Sequence, residues 1–206
     1  DRSRTVSKLP ITVQNKRLTL DQFSRRVKTF VSGAKRIAMP LVVVDSILHI
    51  SRDKQTFRMN KAEFSEHVTD ALKAIAEENE IPVVAIAQLK KNTVERPTRT
   101  KMDVDFYRQL VSKRPVASDI YGSVEKDSDH VITVWNPEVV LSQFEPAEHT
   151  SEHIAWEEVM KEWRGQAEIL LSLSRSAHWP SRRTVQWDGA RHHFSFKSDE
   201  QRDMYR

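Results

Sequence analysis

Two apolar runs in the chain each end on a polar residue able to handle a metal or a phosphate. Leu41-Val-Val-Val44 gives way to Asp45, and Val83-Val-Ala-Ile-Ala87 gives way to Gln88. A carboxylate in such a position can hold Mg²⁺, directly or through its water shell, while a neutral amide can bond a phosphate oxygen or orient a water. The plainer alternative is that Asp45 caps a turn and Gln88 bonds local backbone. A second pattern, His149-Thr-Ser-Glu-His153, has the H-x-x-E-H form that on a helix would set two imidazoles one turn apart around a carboxylate. It lies in a strongly acidic stretch with no distinguishable further ligand, so it reads as a polar helix start rather than a metal site. His192-His193 would alternate faces on a strand, so only one of them could face any site.

Asp45 and Gln88 need strands to carry them. Both preceding runs are apolar on both faces, the pattern of strands covered on two sides. Between them, Asn60-Lys-Ala-Glu63 has the form of a helix cap, followed by Phe64, Val68, Ala71, Leu72 and Ile75 at helical spacing. Strand, helix and strand in this order predict a parallel pair with a right-handed crossover. Asp45 and Gln88 would then emerge at the same carboxyl edge, where open α/β sheets bind ligands.

Upstream, Thr19-Leu-Asp-Gln22 reads as a capping box for a helix burying Leu20, Phe23, Val27, Phe30 and Val31, with Gly33 as its stop. Downstream, Val131-Ile-Thr-Val-Trp135 and Ala167-Glu-Ile-Leu-Leu-Ser-Leu173 read as strands. Thr184-Val-Gln-Trp187 and His192-His-Phe-Ser-Phe196 flank Asp188-Gly189, a strong hairpin signal. Residues 97–114 read as a polar excursion from the sheet. Residues 148–164 read as an acidic helix carrying Ile154, Trp156, Val159, Met160 and Trp163. The expected architecture is one α/β domain over residues 1–206, a mostly parallel sheet flanked by helices and ending in a C-terminal β-hairpin.

Composition narrows the chemistry. The 206 residues are 38% hydrophobic and 30% charged, with no cysteine. Thiol nucleophiles, Cys-ligated zinc, iron–sulfur clusters and disulfides are therefore excluded. The four glycines, Gly33, Gly122, Gly165 and Gly189, lie too far apart to write a glycine-rich phosphate cradle. No apolar run approaches the ~18 residues of a membrane span, so the expectation is a cytoplasmic protein without a membrane partner. The net charge of +4 hides blocks: residues 1–40 carry +8 and residues 121–170 carry −8. Such alternation fits polyanion contact at some faces and subunit contact at others, or simply solvated faces. The chain opens on Asp1, which fits a processed chain or part of a longer one.

In order along the chain, these segments resemble the C-terminal motor domain of DnaB-like replicative DNA helicases, which have a RecA-like fold. Leu9-Pro-Ile-Thr-Val13 and Leu18-Thr-Leu are similar to the strand and helix start before that family's Walker B strand, and Leu41-Val-Val-Val-Asp45-Ser-Ile-Leu to the Walker B motif itself. Ile81-Pro-Val-Val-Ala-Ile-Ala-Gln88-Leu is similar to the γ-phosphate-sensing strand. Arg114-Pro-Val-Ala-Ser-Asp119 and Gly122-Ser-Val-Glu-Lys-Asp-Ser-Asp129 are similar to the DNA-facing loop region. Ala167-Glu-Ile-Leu-Leu with Arg175, then Thr184-Val and Phe194, are similar to the closing strands.

The resemblance implies that Asp45 holds the water shell of Mg²⁺, Gln88 senses the γ-phosphate of ATP, and Arg175 acts as an arginine finger on a neighbouring subunit's nucleotide. It implies single-stranded DNA threading a hexameric homo-oligomeric ring, with Lys113, Arg114, Tyr121 and Lys126 as contacts, and a primase or helicase loader as further partner. Three departures stand out. The family's Walker A loop and catalytic glutamate lie upstream of everything matched. Leu173-Ser-Arg175 stands where the family has Lys-x-Arg. Residues 97–113 and much of 145–164 look like insertions. The alternative function is a RecA-like module that binds DNA or oligomerises without hydrolysing ATP.

Overall fold

The computed structural model describes residues 11–34, 39–90, 101–121, 124–176 and 181–196. Helix α1 (Leu20–Ala34) begins at the expected box: the Gln22 amide oxygen accepts from Thr19 N–H at 3.1 Å, and Thr19 Oγ1 accepts from Gln22 N–H at 3.4 Å. Leu9 and Pro10 lie outside the described residues. Residues 11–13 form no strand, and Ile11 and Val13 are exposed, contrary to the strand expected there.

Strand β1 (Val42–Asp45) and strand β2 (Val83–Ile86) pair in parallel, with Val42 opposite Val83 and Asp45 opposite Ile86. Helix α2 (Lys61–Asn79) connects them. Its start is a full capping box: Asn60 Oδ1 accepts from Ala62 and Glu63 N–H, and Glu63 reaches back to Asn60 N–H at 2.8 Å. Asn60→Ala should therefore destabilise the protein by about 1 kcal/mol, with Asn60→Asp nearly neutral. Urea denaturation curves of the two variants check this.

Val27 and Val31 of α1, with Phe64, Val68, Leu72 and Ile75 of α2, pack on the face of the pair formed by Val42, Val44 and Val83. Period-two alternation sends the intervening residues the other way. Leu41, Val43, Val84 and Ile86 are accordingly 44–56% exposed. The expectation of strands covered on both faces is thus corrected: helices cover one face only among the described residues.

The remaining strands form a second sheet, and it is antiparallel. Strands β3 (His130–Trp135), β4 (Gln166–Ser174), β5 (Ser181–Asp188) and β6 (His193–Ser195) lie side by side in chain order. The expected C-terminal hairpin is present as β5–β6. The mostly parallel sheet is not found among the described residues, because only β1–β2 are parallel. On the outer face of β3, Ile132 and Val134 are at least half exposed.

The expected polar excursion is also corrected. Residues 97–100 lie outside the description, but helix α3 (Val104–Ser112), capped by Asp103, buries Phe106, Tyr107, Leu110 and Val111 completely. Short helix α4 (Val124–Asp127) follows, then α5 (Pro137–Ser142) and α6 (Ser151–Trp163). Trp156, Val159 and Met160 of α6 share a core with α3, Val140 and Leu141 of α5, Trp135 and Leu170. The acidic helix is where the pattern put it, although Ile154 points to solvent at 71% exposure. Trp156 Nε1–H donates to the Leu141 carbonyl at 3.0 Å, which fixes α5 against α6. A smaller cluster of Ala117, Ile120, Val124 and Val131, with Ala87, Leu89 and Leu173 against it, joins the exit of β2 to the antiparallel sheet. Among the described residues, no helix is long and apolar enough to cross a membrane.

Candidate functional site

The parallel register sets Asp45 beside Ile86, so Asp45 and Gln88 leave their strands at the same edge, as the strand–helix–strand reading requires. Both side chains are exposed, and neither makes a side-chain hydrogen bond or ion pair among the described residues. Asp45 therefore does not cap the turn after β1, although a short 3₁₀ turn (Ile47–His49) begins right behind it. Its carboxylate stands ready for an external cation. That fits one ligand of a hydrated Mg²⁺ rather than an all-protein cage, since no group of three metal-ligating side chains occurs among the described residues.

The chain beyond Gln88 ties this edge to the segment that follows α3. The Gln88 carbonyl accepts from Tyr121 N–H at 3.4 Å, Leu89 bridges Ile120, and Lys90 N–H donates to the Asp119 carbonyl at 2.7 Å. Residues 88–90 and 119–121 thus form a short antiparallel ribbon. Sequence reasoning missed what covers the Tyr121 ring: Lys61 Nζ lies 4.0 Å from its centroid. A cation in the first turn of α2 is disfavoured by the helix dipole, and the aromatic face offsets this.

Of the four residues expected on DNA, Arg114 is paired within its own chain. Its Nε and Nη2 donate to Glu168 Oε2 and Oε1 at 2.5 and 3.0 Å, a bidentate pair. The Glu168 side chain is 3% exposed. The physical reason is burial: a buried carboxylate, here the third residue of β4, needs a charged partner. Lys113 is exposed at the end of α3, and Lys126 pairs at the surface with Glu66 at 3.2 Å.

Arg175 sits just past β4, exposed, and forms no ion pair with a carboxylate among the described residues. Its Nη2 donates to the Lys126 and Glu125 carbonyls, while its backbone N–H donates to the Asp129 carbonyl at 2.9 Å. It makes no bond to Asp45 or Gln88 of its own chain.

Three side chains on one face of α2 grip the segment beneath Arg175. Glu66 meets Lys126, Thr69 Oγ1 lies 2.6 Å from Asp127 Oδ2, and Lys73 Nζ donates to both Asp129 oxygens at 2.9 and 2.8 Å. The Lys73 bond holds the Asp129 carboxyl below its ordinary range, and the same bond raises the Lys73 ammonium. These pairings span 56 to 60 residues, so no local pattern signals them.

The His149–His153 pattern does not set two imidazoles on one helix. Thr150 caps α6, leaving His149 outside the helix with φ +64°, while His153 stacks on Trp156 and approaches Glu145 at 3.9 Å. His192 lies in the β5–β6 turn beside Trp187, with φ +49°.

Comparison with known proteins follows this geometry. The DnaB replicative DNA helicase of Rickettsia bellii is 31% identical over 123 residues, covering 57% of this chain and 22% of that protein. A probable replicative DNA helicase of Trieres chinensis is 27% identical over 145 residues, covering 69% and 28%. The chain thus spans about a quarter of the length of such relatives. Its fold is similar to that of a DnaB-like replicative helicase solved in a study of its interactions with primase. The TM-score is 0.67 at 14% identity, over 95% of this chain and 40% of that one. The likeness supports a RecA-like arrangement for this mixed helix and strand fold. Residues 1–178 match the family described as the DnaB-like helicase C terminal domain, and with most of the sequence inside that match the chain belongs to this family.

Proposed function

We propose that the chain is the later part of an ATP-driven replicative DNA helicase motor that works as a ring on single-stranded DNA. The observation that carries this reading is the edge at which Asp45 and Gln88 stand exposed and unpartnered, with the Gln88 backbone joined to residues 119–121. In this reading Asp45 holds the water shell of Mg²⁺, Gln88 contacts the terminal phosphate, and Arg175 reaches a nucleotide bound by the neighbouring subunit. Bound Mg·ATP supplies a phosphoryl group that is transferred to water. Gln88 links that event to DNA, because displacing its carbonyl displaces Tyr121 and the Lys61 ammonium over it. Lys113, Tyr121 and Lys126 remain the candidate DNA contacts, and a primase is a candidate partner.

The apolar outer faces of β1–β2 and β3 support the reading in a second way. Leu41, Val43, Val84, Ile86, Ile132 and Val134 form the kind of surface that a further layer of a longer α/β protein covers. The phosphate cradle absent from this sequence would belong to that further part. Residues 1–206 alone should accordingly show no micromolar, Mg²⁺-dependent affinity for ATP by calorimetry.

The test uses the assembled protein that carries a P-loop. Wild type should hydrolyse ATP faster when single-stranded DNA is added. Gln88→Ala should keep nucleotide affinity and lose the stimulation by DNA. Full stimulation in Gln88→Ala would overturn the assignment of Gln88, and no hydrolysis by the assembled wild type would overturn the motor reading.

A further inference from the structure

The backbone around Arg175 is fixed, while among the described residues its side chain is hydrogen-bonded to backbone carbonyls. His130 lies against both neighbours of Arg175: Nδ1 is 3.0 Å from Ser174 Oγ and Nε2 is 3.3 Å from Ser176 Oγ. With the bond from Arg175 N–H to the Asp129 carbonyl, residues 174–176 are clamped onto residues 129–130. The guanidinium, in contrast, rests on the carbonyls of Glu125 and Lys126, and bonds to neutral carbonyls are weaker than a bidentate pair with a carboxylate.

A carboxylate stands close by. Asp129 is within electrostatic reach of Arg175, yet both of its oxygens are taken by Lys73. Lys73 is itself held on its helix by Glu77 at 3.4 Å, and its side chain is only 27% exposed. The ammonium is thus a fixed competitor for a carboxylate within electrostatic reach of the arginine.

We propose that Lys73 is a positioning residue for Arg175. The Asp129 backbone carbonyl fixes the backbone from which the arginine extends, and Lys73 occupies the Asp129 carboxylate so that the guanidinium stays free to leave its own chain. This rests on the reading of Arg175 as a residue that acts on a neighbour's nucleotide. It adds Lys73, which lies on the helix whose start carries the Lys61–Tyr121 contact.

The experiment compares four variants in the assembled, P-loop-bearing protein. Lys73→Met should lower kcat about two- to fivefold, the range of a half-exposed ion pair, with nucleotide affinity unchanged. Lys73→Arg should restore kcat, since it keeps a cation on Asp129. Asp129→Asn alone should leave kcat at or near the wild-type value, and Lys73→Met/Asp129→Asn should recover what Lys73→Met loses. A purely structural bridge gives the opposite pattern, with Asp129→Asn as damaging as Lys73→Met and no recovery in the double variant; that result overturns the proposal. So does a Lys73→Met protein with wild-type kcat in which Arg175→Ala still abolishes turnover, and this outcome leaves the role of Arg175 intact. If Arg175→Ala itself has no effect, the reading of Arg175 falls first. Should Lys73→Met fail to assemble, Asp129→Asn still decides, because a fall in its kcat contradicts the proposal.

Discussion

Arg175→Ala in the assembled, P-loop-bearing protein is expected to cut ATP turnover by about 10³–10⁵ while leaving nucleotide affinity nearly unchanged. A guanidinium supplied in trans neutralises charge that develops only in the transition state, so its loss falls on kcat. The geometry makes the variant clean. Arg175 is exposed and bonded to two carbonyls, so its removal strands no buried charge and should not unfold the chain. The position two residues earlier offers no substitute, because Leu173 packs against the cluster of Ala117, Ile120, Val124 and Val131. Mixing Arg175→Ala with Asp45→Asn subunits gives the direct test. Some interfaces of a mixed ring then pair an intact Asp45 with an intact Arg175 from the neighbour, and part of the activity should return. Mixed rings that assemble but recover nothing at any ratio would mean that Arg175 acts within its own chain or not at all.

The parallel pair was legible because its signals are local. The caps at Thr19 and Asn60, the spacing of Phe64, Val68 and Leu72, and the two β-branched runs each lie within one element. They place Asp45 and Gln88 on one edge without further information. What covers a strand is not local: Val43 and Val44 look alike in sequence, yet one is exposed and the other buried, because α1 and α2 lie on a single face. Helix α3 was hidden for a different reason. Phe106, Tyr107, Leu110 and Val111 fall on one helical face, but the helix is only nine residues long and polar stretches flank it on both sides. Its partner, α6, lies more than forty residues further on. The two segments read as insertions thus share one core, with Arg108 bonded to Glu162 at 2.7 Å and to Glu158 at 3.5 Å across their surface. The environment of Arg175 needed the same kind of information, since Lys73 and Asp129 meet only in three dimensions.

Arg114 shows how a basic residue in a segment expected to face DNA can be structural, and its replacement should have the largest effect on stability. Arg114→Ala leaves Glu168, the third residue of β4, between Trp135 and Thr184 of the neighbouring strands without the guanidinium that pairs with it. Removing one partner of such a buried pair costs about 3 kcal/mol or more. For a protein of this size that lowers Tm by roughly 6–12 °C. Arg114 also donates to the Ser112 carbonyl at 3.0 Å, so the end of α3 loses its tie to the sheet along with the charge. Glu168→Gln in the Arg114→Ala background should regain part of the stability, because a buried amide costs less than a buried carboxylate. If Arg114 serves the fold, single-stranded DNA affinity per folded molecule and its dependence on salt stay as in wild type, since no phosphate contact has been removed. A stable Arg114→Ala protein with a shallower salt dependence would return Arg114 to the DNA and leave Glu168 without an explanation for its burial.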